Sequence, residues 1–414
     1  MNEHVSHLAP DPMSAEIPLE AEPRPVSRAR SALLKRLADV VCLPSSRVNT
    51  FERAMTADLL VDMLREASIE ERGKVARRLA NLTEIPATLV RLLLRDKFEV
   101  ARALLEHCPT LGDCDLLDCI RYTSPEHRRM IAMRRGLGEV VTECLVEGCE
   151  AAVLETLLRN DLAQLSPAGV EMVTAFTRDN PRLIPLLLRR PELRPSHAYA
   201  MFWWADHDAR RIILQRFAVS REVLQEAAGD VFPLAALEGW QDPMSRKALQ
   251  FIERRQRNRA AIDKSRFASL DEAVEEAATG MTRETAEEIS YLSGLKPMTG
   301  AKIFTDAGGE PLAMLCKATG LPRTCISQLW RGLRRPEADS SGVIAPALER
   351  ALIVYDMIAV DRAQTVLRYW NWSLSSAMTP ALMKAIRDGD EQAMDEYSVP
   401  QRVAMLALSG EFSR

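Results

Sequence analysis

Between Lys74 and Gly229 one phrase recurs six times: an apolar pair, a four-residue step to a second apolar pair, then a basic residue or Asn and a break. It runs Val75-Ala76 to Leu79-Ala80-Asn81, Val100-Ala101 to Leu104-Leu105, Val153-Leu154 to Leu157-Leu158-Arg159-Asn160, and Leu183-Ile184 to Leu187-Leu188-Arg189-Arg190. With one slot polar it returns as Ala209-Arg210 to Ile213-Leu214-Gln215-Arg216, and a degenerate copy lies around Ile131-Ala132-Met133-Arg134-Arg135. The period, about 25–30 residues, is too short for a domain and suits two short helices. A unit of that size cannot bury its apolar face alone, but it can when stacked on its neighbours.

Start signals at a common phase support the same reading. Ser68-Ile69-Glu70-Glu71 is a capping box, in which the Ser hydroxyl and the Glu carboxylate each take a free amide of the first turn. Ser124-Pro125, Ser166-Pro167 and Ser220-Arg221-Glu222 repeat the pattern of an N-cap Ser, twice with Pro at the first helical position, where no amide needs a partner. Thr56 is read as the cap of a helix over 57–66. No alternating strand pattern is present, so the chain reads as all-α. The expected architecture is a HEAT-like α-solenoid of short helix pairs over 27–245, a basic connecting helix over 246–266, and a smaller helical domain over 267–414. Residues 1–26 carry Pro among Glu, Ser and Ala and read as a disordered tail. Helices at 345–359, 363–372, 380–387 and 400–408 complete the last domain.

Composition narrows the functional classes. Apolar residues make up 47% of the chain and aromatics 5%, so the core is built of Leu, Ala, Val and Ile. The net charge of −4 leaves no global basic field, and nucleic acid would need a local patch. Eight Cys show no C-x-x-C pair and no zinc spacing, and most occupy apolar helical slots. No metal and no cofactor is expected. A signal peptide and a run of apolar residues long enough to span a bilayer are both missing, which points to a reducing cytoplasm. Signatures for phosphate loops, zinc proteases, dinucleotide binding and hydrolase nucleophiles are absent, and the reading is non-enzymatic.

Three sets of residues are candidates for a site. Arg159, Arg189, Arg190 and Arg216 follow the apolar pair at one phase and would line one edge of a stack. They suit an acidic or phosphorylated protein or peptide partner. Trp203 and Trp204 stand beside them in an aromatic-poor chain, where an exposed ring marks a binding surface and a buried one marks packing. Leu312 to Arg331 has helix-turn-helix spacing, with Gly320 at the turn, Ile326 and Leu329 facing inward, and Arg323, Thr324, Ser327 and Gln328 facing outward. Those outward residue types contact bases or phosphates, and Lys317, Arg331, Arg334 and Arg335 add positive charge. Against this, the segment from Asp271 to Glu288 is strongly acidic.

The runs beginning at Glu99, Ser124 and Leu154 resemble the HEAT-like repeats of domain-of-unknown-function family 2336, found mainly in alphaproteobacteria. The resemblance covers residues 33–335 and implies a cytoplasmic bacterial helical-repeat protein, with no catalytic residues to carry over. The functional expectation is a protein-interaction scaffold or regulatory adaptor. The alternative is a nucleic-acid-binding regulator using the segment at 312–335.

Overall fold

The computed structural model describes residues 28–82, 84–253, 264–338 and 340–376, and among these every regular element is a helix. The expected tail at 1–26, part of the connecting helix at 254–263, and the expected helices at 380–387 and 400–408 lie outside the described residues. The chain divides into two compact units, one ending at Gly169 and the other beginning at Val170. That division falls inside the segment 27–245 rather than at its end.

The first unit contains α1 (Arg28–Val41), α2 (Thr50–Arg65), α3 (Ile69–Leu79), α4 (Ala87–Leu94), α5 (Phe98–His107), α6 (Asp113–Tyr122), α7 (Pro125–Ala132), α8 (Glu139–Glu147) and α9 (Ala151–Leu158). Helix α10 (Pro167–Phe176) spans the division. Sequence explains the starts. Ser68 accepts from the Glu71 amide while Glu71 reaches back to Ser68, completing the capping box of α3. The Ser166 hydroxyl accepts from the Gly169 amide at 2.9 Å. Ser124 stands at the N-cap of α7, but its hydroxyl pairs with His127 instead of a backbone amide. Thr56 is not a cap. Helix α2 begins two turns earlier, at a capping box of Asn49 with Glu52, and Thr56 donates to the Glu52 carbonyl from within the helix.

Packing in this unit follows an odd–even rule. Helices α1, α3, α5, α7 and α9 pack successively on one another, and α2, α4, α6 and α8 do the same. Two rows of helices result, and sequence neighbours also touch at several steps, as α1 with α2, α4 with α5 and α6 with α7. Leu104, Leu105, Leu157 and Leu158, which mark the repeated phrase, are all buried. The polar residue that ends the phrase closes the helix before it. Arg134 donates to the carbonyls of Leu105 and Cys108, and Asn160 donates to those of Ala132 and Arg134, each reaching 26 to 29 residues back. The last carbonyls of a helix have no partner within it, so these side chains supply what the helix cannot. The copy around Ile131 is degenerate in its apolar pattern, yet it carries this cap in full.

In the second unit the helices are α11 (Ile184–Leu187), α12 (Pro195–Met201), α13 (His207–Phe217), α14 (Arg221–Ala227), α15 (Val231–Leu237), α16 (Pro243–Glu253), α17 (Leu270–Thr279), α18 (Arg283–Leu292), α19 (Pro297–Thr305), α20 (Glu310–Thr319), α21 (Thr324–Gly332), α22 (Pro346–Met357) and α23 (Val360–Ser376). Leu187 and Leu188 are buried here as the phrase requires. Helix α20 is the hub: α19, α21, α22 and α23 all pack on it, and it is buried along nearly its whole length. A helix apolar all round belongs in the middle of a core, and Leu312, Ala313, Met314, Leu315 and Cys316 make α20 such a helix.

Candidate functional site

The four arginines of the repeated phrase do not form one exposed edge. Arg190 is 2% exposed and its guanidinium pairs with Glu192. Arg216 donates to the carbonyls of Leu188 and Arg190, the same backward cap made by Arg134 and Asn160. At Arg216 the position has a structural cause: a planar fork with several donors can bridge two carbonyls at a helix end. Arg159 and Arg189 remain exposed, Arg159 in an ion pair of 2.7 Å with Glu155 one turn back.

Trp203 and Trp204 are both half-buried. Trp203 lies 5.0 Å from the Trp370 ring and 5.7 Å from Phe202, with Lys302 above its face. Aromatic residues far apart in the sequence thus meet, since Phe202 also touches Trp370 and Tyr199 touches Tyr369. Trp204 donates its indole N–H to the Thr177 hydroxyl at 3.1 Å. Packing accounts for most of both rings.

The segment with helix-turn-helix spacing does form a helix hairpin, α20 to α21, with Gly320 at φ +81° in the turn. Ile326 and Leu329 are fully buried, Arg323 and Thr324 are exposed, and Ser327 and Gln328 are half-buried. Its positive charge is largely engaged. Arg323 pairs with Asp356 at 3.2 Å, Arg331 with Glu337 at 2.8 Å, and Lys317 lies over the Tyr355 ring. Arg335 donates to the Phe304 carbonyl and lies over the Trp330 ring. Helix α21 packs along α17, which carries Asp271, Glu272, Glu275 and Glu276. At Gly332 the two helices approach so closely that a Cβ would collide with the Ala277 carbonyl, and the Gly332 carbonyl accepts from the Met281 amide at 2.8 Å.

Two buried polar networks are not legible as sites in the sequence. In the second unit, Arg210 on α13 makes a two-point pair with Asp306 (2.7 and 2.9 Å) and a third bond of 2.6 Å to Glu310, which is 1% exposed. His207 Nδ1 lies 2.9 Å from the other Glu310 oxygen. Burial opposes the Arg210 charge, but the hydrogen bonds and charges of Asp306 and Glu310 outweigh it and hold its pKa above the usual value. The one available signal was Arg210 itself, polar in a slot that other copies of the phrase fill with Ala, Leu or Ile. In the first unit, Arg72 on α3 grips Asp96 at 2.5 and 2.9 Å, and the Asp96 carbonyl lies 3.1 Å from His127 Nε2 on α7. The network crosses the odd row from α3 to α7.

Among the described residues, no three His, Cys, Asp or Glu side chains are grouped as metal ligands, and no helix is long and apolar enough to cross a membrane. A model of the family described as "Uncharacterised protein conserved in bacteria (DUF2336)" matches residues 100–368. No curated protein and no solved structure matches the chain.

Proposed function

Since the chain belongs to DUF2336, a bacterial family of uncharacterised proteins, we propose from its architecture that it is a non-enzymatic protein-interaction scaffold or regulatory adaptor built on helical repeats. The observation that supports this most directly is the backward cap. Arg134, Asn160 and Arg216 each close the helix end one period earlier, so residues that end the repeated phrase tie a helix to the one a period before it. Stacks joined in this way offer extended surfaces to other macromolecules, and their loops and outer faces vary without disturbing the core. The solvent-facing members of the arginine set, Arg159 and Arg189, are the partner contacts this reading retains.

Nucleic-acid binding is the second reading. The exposed Arg323 and Thr324 at the start of α21 favour it, and the carboxylates at Asp356, Glu337 and along α17 oppose it. Affinity capture from the source cell, with and without nuclease, separates the two. The adaptor reading expects a discrete protein partner retained after nuclease and weakened by Arg159→Glu with Arg189→Glu. Capture lost on nuclease treatment would overturn it in favour of the regulator.

A further inference from the structure

The first helix pair leaves an apolar row uncovered. Phe51, Met55 and Leu59 fall at i, i+4 and i+8 on α2 and are 72%, 54% and 54% exposed. That spacing places all three on one face of the helix. Opposite them, Ala57, Leu60 and Leu64 are buried toward the rest of the unit. Single exposed apolar side chains are ordinary, but a row of three on one face is a surface that attracts a partner. Position sharpens the point. Helix α1 packs on α2 and α3, and α2 packs on α1 and α4, so this pair ends the two rows among the described residues. A unit that caps a stack ordinarily carries a polar outer face.

Charge identifies what would cover it. Asp58 and Asp62 are exposed on the same face of α2 as the apolar row, Asp62 lying 3.8 Å from the exposed Arg65 of the same helix. On α1, Leu33 is 50% exposed with Arg36 exposed at i+3 beside it, and Lys35 is exposed farther round the helix. The pair thus carries an apolar, acidic helix next to an apolar, basic one. Such a surface is complementary to itself under a two-fold axis, with α1 of one copy on α2 of the other, made twice. We infer that the chain forms a homodimer through α1 and α2, with Phe51, Met55 and Leu59 buried between copies and Asp58 and Asp62 facing Lys35 and Arg36 of the second copy.

Analytical ultracentrifugation of the full-length protein tests this, from sub-micromolar to tens of micromolar. The wild type should move from one-chain to two-chain mass as concentration rises. Asp58→Lys with Asp62→Lys makes both helices basic, and Lys35→Glu with Arg36→Glu makes both acidic. Each double variant alone should raise the dissociation constant by at least about tenfold, because like charges then face each other. Mixed together, the two variants should form a heterodimer, since every contact again pairs opposite signs. Met55→Glu should also leave a single chain, with its helical circular dichroism unchanged. One-chain mass for the wild type at all concentrations would overturn the proposal. So would dimers insensitive to the charge reversals, or folded variants that fail to associate when mixed. A basic partner protein on α2 would give the first of these results. A monomer would not touch the adaptor reading, which rests on the backward caps.

Discussion

At the scale of single residues, polar groups inside the fold do more than the exposed ones. Arg210 holds two carboxylates that are themselves buried. Removing it leaves uncompensated charge in the interior, a change that costs about 3–5 kcal/mol in comparable buried pairs. Arg210→Met should lower stability by that amount in urea denaturation, and a loss within experimental error would show that the network is hydrated in solution. His127 carries a pH dependence. It is buried between the Ser124 hydroxyl and the Asp96 carbonyl, and burial holds its pKa below the usual value. The unfolded chain, with His near about 6.5, then binds the proton more readily than the fold. The stability contributed by the neutral ring is complete above that value and is lost as pH falls through it toward the lowered folded value. His127→Gln keeps a donor and an acceptor without the charge, so its melting temperature should fall less than the wild type's between neutral and mildly acidic buffer. Sequence could place Arg216 and Asn160 at a phase but not assign their work. A polar residue after an apolar run looks the same whether it faces water or a carbonyl 26 residues earlier.

At the scale of elements, the helices were well marked and their surfaces were not. Ser68, Ser166 and Ser220 cap as their local pattern demands, because an N-cap bond is decided within four residues. Helix α2 starts at Asn49 rather than Thr56 because Asn49 has Glu52 three residues on to complete a capping box, whereas Thr56 has Leu59 there. The α20–α21 hairpin shows the same limit. Its inward residues, Ile326 and Leu329, follow from apolar spacing, while Asp356, 33 positions beyond Arg323, supplies a partner that no local reading could find. With Arg323 and Arg331 paired and α17 alongside, the full-length protein should show no sequence-selective duplex binding in fluorescence anisotropy. Tight binding that weakens steeply with salt and is lost in Arg323→Ala with Gln328→Ala would instead assign these residues to DNA.

At the scale of the whole molecule, the all-α class is legible because the repeated phrase has the four-residue apolar step of a helix and no segment alternates as a strand would. The two-row packing of the first unit has a mechanical corollary. Its contacts run between neighbours in a row, so damage should stay near where it is made. Leu158→Ala removes a buried side chain at a cost of about 2–5 kcal/mol. Hydrogen exchange should then quicken in α7 to α9 well before α1 to α3, and uniform loss of protection would show one cooperative block instead. The aromatic contact of Phe202 with Trp370 lay beyond sequence reading for the opposite reason, because it joins segments 168 positions apart that share no pattern. The backward caps also bear on how this protein is made. Arg134, Asn160 and Arg216 each serve a helix end already synthesised, 26 to 29 residues before them. A ribosome adds about 5–20 residues per second, so each such end stays open for roughly one to six seconds until its side chain emerges. Water fills the gap in the interval, so at each of these three points the growing chain carries a helix end that is not yet closed.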